Sequence, residues 1–244
     1  MSIEFLLGLS VAIVLIAVLY SSVGHAGASG YIALMSLAGL APDFIKPTAL
    51  AMNVLVASIG SWQFLRAGHF AWRTFWPFAL LAVPMAYVGG HVSLPAQAFK
   101  LLLGMVLLVA AARFVMNARE DPAAHEPPIM PALASGGIIG LLSGLTGTGG
   151  GIFLTPLMLF LHWAETKRVA AVSALFILVN SISGLLGNIS STRQLPLFAL
   201  PMVAAAVAGG AAGSYLGSRR FSPAFIKKLL AVVLLIAGAK LLFT

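Results

Sequence analysis

The stretch GHAGASG at residues 24–30 places a polar, glycine-rich turn inside a strongly apolar part of the sequence. A second stretch of this kind, GLTGTGGG at residues 144–151, interrupts another apolar run. Hydrocarbon offers no partner for unwound backbone, which is tolerated in a membrane where it is buried in protein or lines a watery cavity. The two breaks therefore predict a binding site or a pathway.

Composition places the chain in lipid. Of its 244 residues 60% are hydrophobic and 8% are charged, and the mean hydropathy is +1.04, whereas soluble domains are about 25% charged. Because a spanning helix needs about 20 mostly apolar residues, we predict an all-α polytopic membrane protein. The predicted apolar segments are Ile3 to Val23, Gly30 to Leu40, Thr48 to Leu65, Phe75 to His91, Ala98 to Met116, Ala132 to Leu145, Ile152 to Trp163, Val169 to Gly187, Leu197 to Leu216 and Ala224 to Phe243.

Three of these segments, beginning at Gly30, Ala132 and Ile152, have fewer than 15 residues. Segments of that length favour half-helices or re-entrant pieces over full spans. The first segment lacks the basic start of a signal peptide and is expected to be retained.

Several function classes are disfavoured. The net charge of +8 comes from basic residues in short loops, where they orient a membrane protein, so no nucleic acid partner is expected. The absence of cysteine excludes disulfides, thiolate metal sites and cysteine nucleophiles. No phosphate-loop motif, metal-ligand cluster or intramembrane carboxylate pair is visible, so we expect no cofactor, no metal and no enzyme activity.

The sequence also predicts two repeats, residues 1–116 and 132–244, separated by a polar linker at 117–131. GHAGASGYIAL from Gly24 aligns with GLTGTGGGIFL from Gly144 at a shift of 120, which places Asn53 on Ser173; later parts align at a shift of 128. Alternating segments put ten basic residues on the linker side and four on the other, which makes the linker cytoplasmic and both termini outside. Five segments in each half give the repeats inverted topology, with the broken or re-entrant helices meeting near the midplane.

At the repeat interface the starts of two broken helices can bind an anion, because free amides give a helix N-terminus about half a positive charge. The candidate residues are glycines and hydroxyl donors of the two breaks: Gly27, Ser29, Gly30, Thr146, Gly147, Thr148, Gly149, Gly150 and Gly151. The alternative is that these glycines only allow close helix packing.

Other polar residues extend the candidate site. His25 is the one ionisable residue in either break; it could couple a proton or attract an anion, or be a neutral histidine bonded to a carbonyl. Sparse polar residues on segments three and eight either line a cavity or form interhelical hydrogen bonds: Asn53, Ser61, Ser173, Asn180 and Ser183. No basic residue lies in either break, so binding would depend on amides, hydroxyls and His25.

The sequence supports an intramembrane protease less well than a binding site. Residues 27–30, GASG, resemble the serine motif of rhomboid intramembrane proteases, but a serine nucleophile needs a general base. No histidine after Ser29 has the rhomboid context, and the matched position in the second break is Gly149.

Three longer stretches carry a family resemblance: SSVGHAGASGYIALM from Ser21, GLLSGLTGTGGGIFLTPLML from Gly140 and AAVSALFILVNSISGLLG from Ala170. They resemble the sulfite exporter TauE/SafE family of membrane permeases over nearly the whole chain. The resemblance implies a secondary transporter of small sulfur-containing oxyanions or organosulfonates, such as sulfite or sulfoacetate, acting mostly outward across the bacterial inner membrane. A permease or channel for another small anion or metabolite stays open, as does a homo-oligomer.

Overall fold

A computed structural model of the chain describes residues 3–40, 42–92, 108, 124–192 and 200–243. Every regular element in these ranges is helical. Numbered along the chain, the described helices are α1 (Ile3–Ser22), α2 (Ala28–Leu37), α3 (Pro42–Arg66), α4 (Trp72–His91), α5 (Ile129–Thr146), α6 (Gly151–Phe160), α7 (Thr166–Thr192), α8 (Leu200–Tyr215), which continues as a π-helical turn (Leu216–Arg220), and α9 (Pro223–Phe243).

Four of the described helices are long and apolar enough to cross a membrane: Phe44–Arg66, Ile129–Thr146, Thr166–Thr192 and Leu200–Arg220. At 1.5 Å per residue, 18 residues or more extend about 27 Å or more, close to the thickness of the hydrocarbon core. Large apolar side chains such as Leu15, Ile138 and Leu186 face outward on these and neighbouring helices, where lipid would cover them. The predicted all-helical membrane protein is thereby confirmed.

The short segments are confirmed in two cases of three. Helices α2 and α6 have ten residues each. The prediction for the segment from Ala132 is wrong, because α5 has 18 residues. It begins three residues earlier, directly after Pro128, whose extended backbone precedes the helix. The predicted segment at 98–116, apart from residue 108, and linker residues 117–123 lie outside the described residues.

Two helices, α4 and α8, pack mainly on helices of the opposite half of the chain. Helix α8 packs on α1 and α3, and α4 packs on α5 and α7. Accordingly, one apolar core contains Ile13, Tyr31 and Met52 together with Met202 of α8. The other core joins Phe78 of α4 to side chains of α5, α6 and α7. We call these groups the first bundle (α1, α2, α3 and α8) and the second bundle (α4, α5, α6 and α7).

Two glycine ladders hold the exchanged helices at close range. A Cβ added to any of these glycines would collide with a backbone carbonyl of the facing helix, so each position requires glycine for close approach. Gly136, Gly140 and Gly144 of α5 face Phe78, Ala82 and Ala86 of α4, and Gly209, Gly213 and Gly217 face Val14, Val18 and Ser22 of α1.

The pairing is the same in both halves of the chain. If α1, α2, α3 and α4 correspond to α5, α6, α7 and α8, the contact of α1 with α8 maps onto that of α5 with α4. The contact of α2 with α3 likewise maps onto that of α6 with α7. This is the pairing that two repeats related by a twofold axis would have. Their opposite orientation in a membrane stays a prediction.

Candidate functional site

Asn53, in the middle of α3, contacts both glycine breaks. Its Oδ1 accepts a hydrogen bond from the amide of Ala28 in the first break (3.2 Å). Its Nδ2 donates to the carbonyl oxygen of Thr148 in the second break (3.2 Å) and to Oγ of Ser181 on α7 (3.3 Å). The side chain is fully buried, so one amide group, which we call the Asn53 bridge, joins the two breaks and the two bundles.

The neighbours of Asn53 fix the orientation of its amide. A backbone N–H can only donate and a backbone carbonyl can only accept, so the oxygen must face Ala28 and the nitrogen must face Thr148. Three hydrogen bonds use most of what an asparagine amide can make. An apolar residue here would leave a backbone amide and a backbone carbonyl without partners in a region that water does not reach freely.

Gly149 allows the second break to lie against this bridge. Its φ is +79°, a left-handed conformation that glycine adopts without the steric cost of a Cβ. A Cβ would also stand 2.7 Å from Nδ2 of Asn53 and 2.8 Å from Oγ of Ser181. The break therefore needs glycine at this position both for its backbone conformation and for its contact with α3 and α7.

The N-terminus of α6 lies beside His25. Gly150 gives α6 no side-chain cap, and a Cβ on Gly151 would stand 2.9 Å from Cδ2 of His25. The imidazole is 4% exposed, and neither ring nitrogen has a hydrogen-bond partner of good geometry among the described residues. Helix α2 differs, because Asn53 already binds the amide of its first residue. An uncapped helix start and an unpartnered imidazole together offer donors to an anion.

The two threonines of the second break bond to each other. Oγ1 of Thr146 donates to the carbonyl of Leu142 (2.7 Å) and lies 2.9 Å from Oγ1 of Thr148. Since a hydroxyl has a single hydrogen, the bond between them must be donated by Thr148. Both hydroxyl hydrogens are thus occupied in this conformation, and either side chain would have to rotate before it could donate to a solute.

The rest of the first break packs α2 on α1. Oγ of Ser29 donates to the hydroxyl of Tyr20 (3.2 Å). A Cβ on Gly30 would meet Cγ2 of Ile16 at 2.5 Å, so this glycine has the packing role that was the alternative to a site role. Gly27, at φ +102°, makes the turn before α2. The structure therefore places Ser29 and Gly30 at the contact between α1 and α2 and not at the Asn53 bridge.

The remaining predicted polar residues are buried, but their hydrogen bonds do not reach the bridge. Ser173 bonds Thr155 of α6 (2.7 Å), Nδ2 of Asn180 donates to the carbonyl of Phe176 (2.9 Å), and Ser183 donates to the carbonyl of Val83 in α4 (2.6 Å). Oγ of Ser61 and Oδ1 of Asn180 have no partner. Ser173 and Ser183 thus connect α7 to α6 and α4, whereas the bond of Asn180 stays within α7.

Two residues at the breaks were missed in the sequence. Ser181 corresponds to Asn53 at the shift of 128, whereas the shift of 120 points to Ser173, so the second alignment carried the signal. Lys46 lies near the start of α3, and its Cγ would stand 3.1 Å from a Cβ on Gly147. Its Nζ donates to the carbonyl of Gly90 at the end of α4 (3.1 Å). The fold thus places a cation beside a break whose own sequence contains none.

The chain is similar to known membrane transporters. The family model "Sulfite exporter TauE/SafE" matches residues 9–241. A "probable membrane transporter protein" of Sinorhizobium fredii is 42% identical over 242 residues, covering 97% of this chain and 98% of that protein. A protein of Bacillus subtilis with the same description is 26% identical over 181 residues, covering 66% of each chain, and one of Methanocaldococcus jannaschii is 24% identical over 160 residues, covering 63% of this chain and 60% of that protein. No solved structure gives a significant match.

Proposed function

This chain belongs to the sulfite exporter TauE/SafE family of membrane transporters, and we propose that it exports small sulfur-containing oxyanions or organosulfonates, such as sulfite or sulfoacetate, by alternating access. The family description supplies the chemical class of the solute. The observation that carries the proposal is the Asn53 bridge, which holds two uncoiled segments together inside the bundle. In secondary transporters, broken helices that meet inside the membrane form the substrate site.

The chemistry of the second break suits a weakly held oxyanion. The start of α6 has no side-chain cap, His25 has no hydrogen-bond partner, and Lys46 lies beside Gly147. An oxyanion can accept hydrogen bonds from backbone amides at a helix start, where the dipole favours negative charge. Among the described residues Lys46 is the cation found beside this break, and a site with few charges can release the solute again.

Alternating access would separate the two bundles. Asn53 belongs to the first bundle, while Thr148 and Ser181 belong to the second. Motion of one bundle against the other must therefore break or exchange the two bonds that Nδ2 donates. The bond of Oδ1 to Ala28 lies within the first bundle and can persist. The rearrangement of these two hydrogen bonds of Asn53 would thus open the site.

The same proposal assigns His25 as the group that couples solute movement to a proton. It places the chain in the bacterial inner membrane, as the family resemblance implies, with both termini outside, as the distribution of basic residues predicts. If the pH dependence of flux is the same in wild type and in His25→Ala, coupling through His25 is rejected while the transporter proposal remains.

A protease is disfavoured by the surroundings of Ser29. Its hydroxyl donates to Tyr20, whereas a nucleophile requires a base that accepts its proton. A serine-directed activity probe should leave the purified protein unlabelled. Covalent labelling at Ser29 that is lost in Ser29→Ala would favour the protease instead.

A thermal-shift panel on purified protein tests the solute class. Sulfite, thiosulfate, sulfate, sulfoacetate and taurine are added in turn, and the melting temperature is followed at increasing concentration. A bound solute stabilises the folded state by RT ln(1 + [L]/Kd), about 2.7 kcal/mol at 100 times Kd. We expect sulfite or an organosulfonate to raise the melting temperature at concentrations where sodium chloride of equal ionic strength does not. Flat melting temperatures across the panel would reject the sulfur-oxyanion assignment.

A further inference from the structure

A small cavity lies next to His25 on the side of α1, α3 and α7. Ser21 lines it from the end of α1, and Gly24 and His25 line it from the first break, with Gly60 from α3 and Ala174 from α7. The volume open to the centre of a water molecule is about 10 Å³, roughly what a single buried water requires. The cavity is too small for a sulfur oxyanion, so the proposed solute would have to contact His25 from another side.

Two buried polar groups at this cavity have no partner in the protein. Oγ of Ser21 belongs to a side chain that is 2% exposed, and both nitrogens of His25 belong to one that is 4% exposed. Within the part of the chain that the structure describes, none of these three atoms makes a hydrogen bond of good geometry. Buried polar atoms are almost always satisfied, by protein or by ordered water, and leaving one without a partner costs about 1–3 kcal/mol.

We propose that this cavity holds one buried water molecule that bridges Oγ of Ser21 and the imidazole of His25. A buried water typically makes two to four hydrogen bonds to polar groups that are otherwise unsatisfied. Here a hydroxyl that can donate and accept and an imidazole that can do the same are both available. Water satisfies either tautomer of His25, because it can act as donor or acceptor.

The water gives the imidazole a partner on the side away from the transported solute. Gly151, at the start of α6, contacts the ring, while the cavity reaches it from α1, α3 and α7. The ring of Tyr20 also lies against the imidazole, with centroids 6.4 Å apart, and the lining of the cavity from α3 and α7 is apolar or glycine. A role of this water in passing a proton to His25 rests on the proposed transport function, whereas the water site does not.

Gly60→Ala removes the space with little disturbance. A Cβ on Gly60 would stand 3.7 Å from Cβ of Ser214 and 3.9 Å from Cβ of Ala174, which are ordinary packing distances, so the fold is retained. Gly184→Ala is the matched control in another helix. Its new Cβ would stand 3.5 Å from Cα of Gly144, and Gly184 does not line the cavity.

The test is electron cryomicroscopy of the full chain in lipid nanodiscs at a resolution that shows ordered waters. Wild type and Gly184→Ala should show a density peak within hydrogen-bond distance of Ser21 Oγ and the His25 ring, and Gly60→Ala should lack it. Ser21→Ala should weaken the peak, because one partner is lost. An empty cavity in wild type overturns the proposal, and so does a peak that persists unchanged in Gly60→Ala. Since no step measures transport, failure here is distinct from failure of the proposed function.

Discussion

Replacing Asn53 with alanine tests whether the bridge between the breaks is part of the solute site or only part of the fold. The substitution removes three hydrogen bonds, to Ala28, Thr148 and Ser181. Side-chain hydrogen bonds between membrane helices average about 0.6 kcal/mol, so their loss should cost about 2 kcal/mol of unfolding free energy. If no water replaces the amide, the backbone groups of Ala28 and Thr148 are left without partners. The loss of unfolding free energy should then approach about 3 kcal/mol, the upper end of the range for an unsatisfied buried group.

Gln63→Ala is the matched control on the same helix. Nε2 of Gln63 donates to the carbonyl of Ala211 (3.2 Å), and its Oε1 accepts from Ser214 (3.0 Å). The variant therefore loses an amide and two interhelical bonds, worth about 1 kcal/mol on the same scale, at a place away from the breaks.

The assay combines two measurements on each variant. Unfolding in mixed detergent and sodium dodecyl sulfate gives the free energy of unfolding, and the melting temperature with and without sulfite gives binding. We expect both variants to be less stable than wild type, with only Asn53→Ala losing the shift induced by sulfite. If Asn53→Ala keeps the full shift, the bridge is structural and the solute site lies elsewhere. If Gln63→Ala loses the shift as well, the loss reflects general destabilisation.

Three further substitutions have defined outcomes. Gly149→Ala forces a Cβ to 2.7 Å from Nδ2 of Asn53 and puts a side chain on a residue with left-handed backbone. We therefore expect sulfite flux in proteoliposomes to be at least tenfold slower. Unchanged flux would contradict the contact between Gly149 and Asn53. Lys46→Gln removes the cation beside the second break, which should weaken anion binding about twofold to fivefold at low ionic strength and less at high ionic strength. A titration with sulfite at both ionic strengths measures this effect. Equal affinities of wild type and variant for sulfite at low ionic strength would show that Lys46 is not part of the site. Gly140→Ala places a Cβ against a carbonyl of α4 and should cost about 1–3 kcal/mol in detergent unfolding. Gly137→Ala should cost much less, because its new Cβ would stand 3.4 Å from Cβ of Leu81, an ordinary packing distance. Equal costs would mean that the glycine ladder does not set the distance between the helices.

The sequence predicted the architecture better than the site. Hydropathy and glycine punctuation are local signals, so the helical class and the shortness of α2 and α6 followed from them. The length of α5 was missed because Pro128 starts a helix inside residues that composition assigned to the linker. The exchange of α4 and α8 between the bundles could not be predicted, since it depends on glycine ladders whose partners lie on another part of the chain.

For the site, the two breaks and Asn53 were identified, but their connections were not. The bond from Asn53 to Thr148 spans 95 residues and that to Ser181 spans 128, and no local pattern encodes such pairs. Lys46 was missed for the same reason, because it approaches the second break from the start of α3. Ser29, a candidate hydroxyl donor in the first break, instead donates to the hydroxyl of Tyr20, which the spacing of nine residues across a turn did not reveal.

Counterflow of radiolabelled sulfite in proteoliposomes tests directly whether this protein transports sulfite through a site at the Asn53 bridge. Vesicles loaded with unlabelled sulfite are diluted into a trace of label, and accumulation is compared between wild type, Asn53→Ala and protein-free vesicles. We expect wild type to accumulate the label transiently, unlabelled sulfoacetate in the external medium to abolish this accumulation by competition, and Asn53→Ala to stay at the level of empty vesicles. Wild-type accumulation no greater than that of empty vesicles, or accumulation by Asn53→Ala equal to wild type, would contradict it.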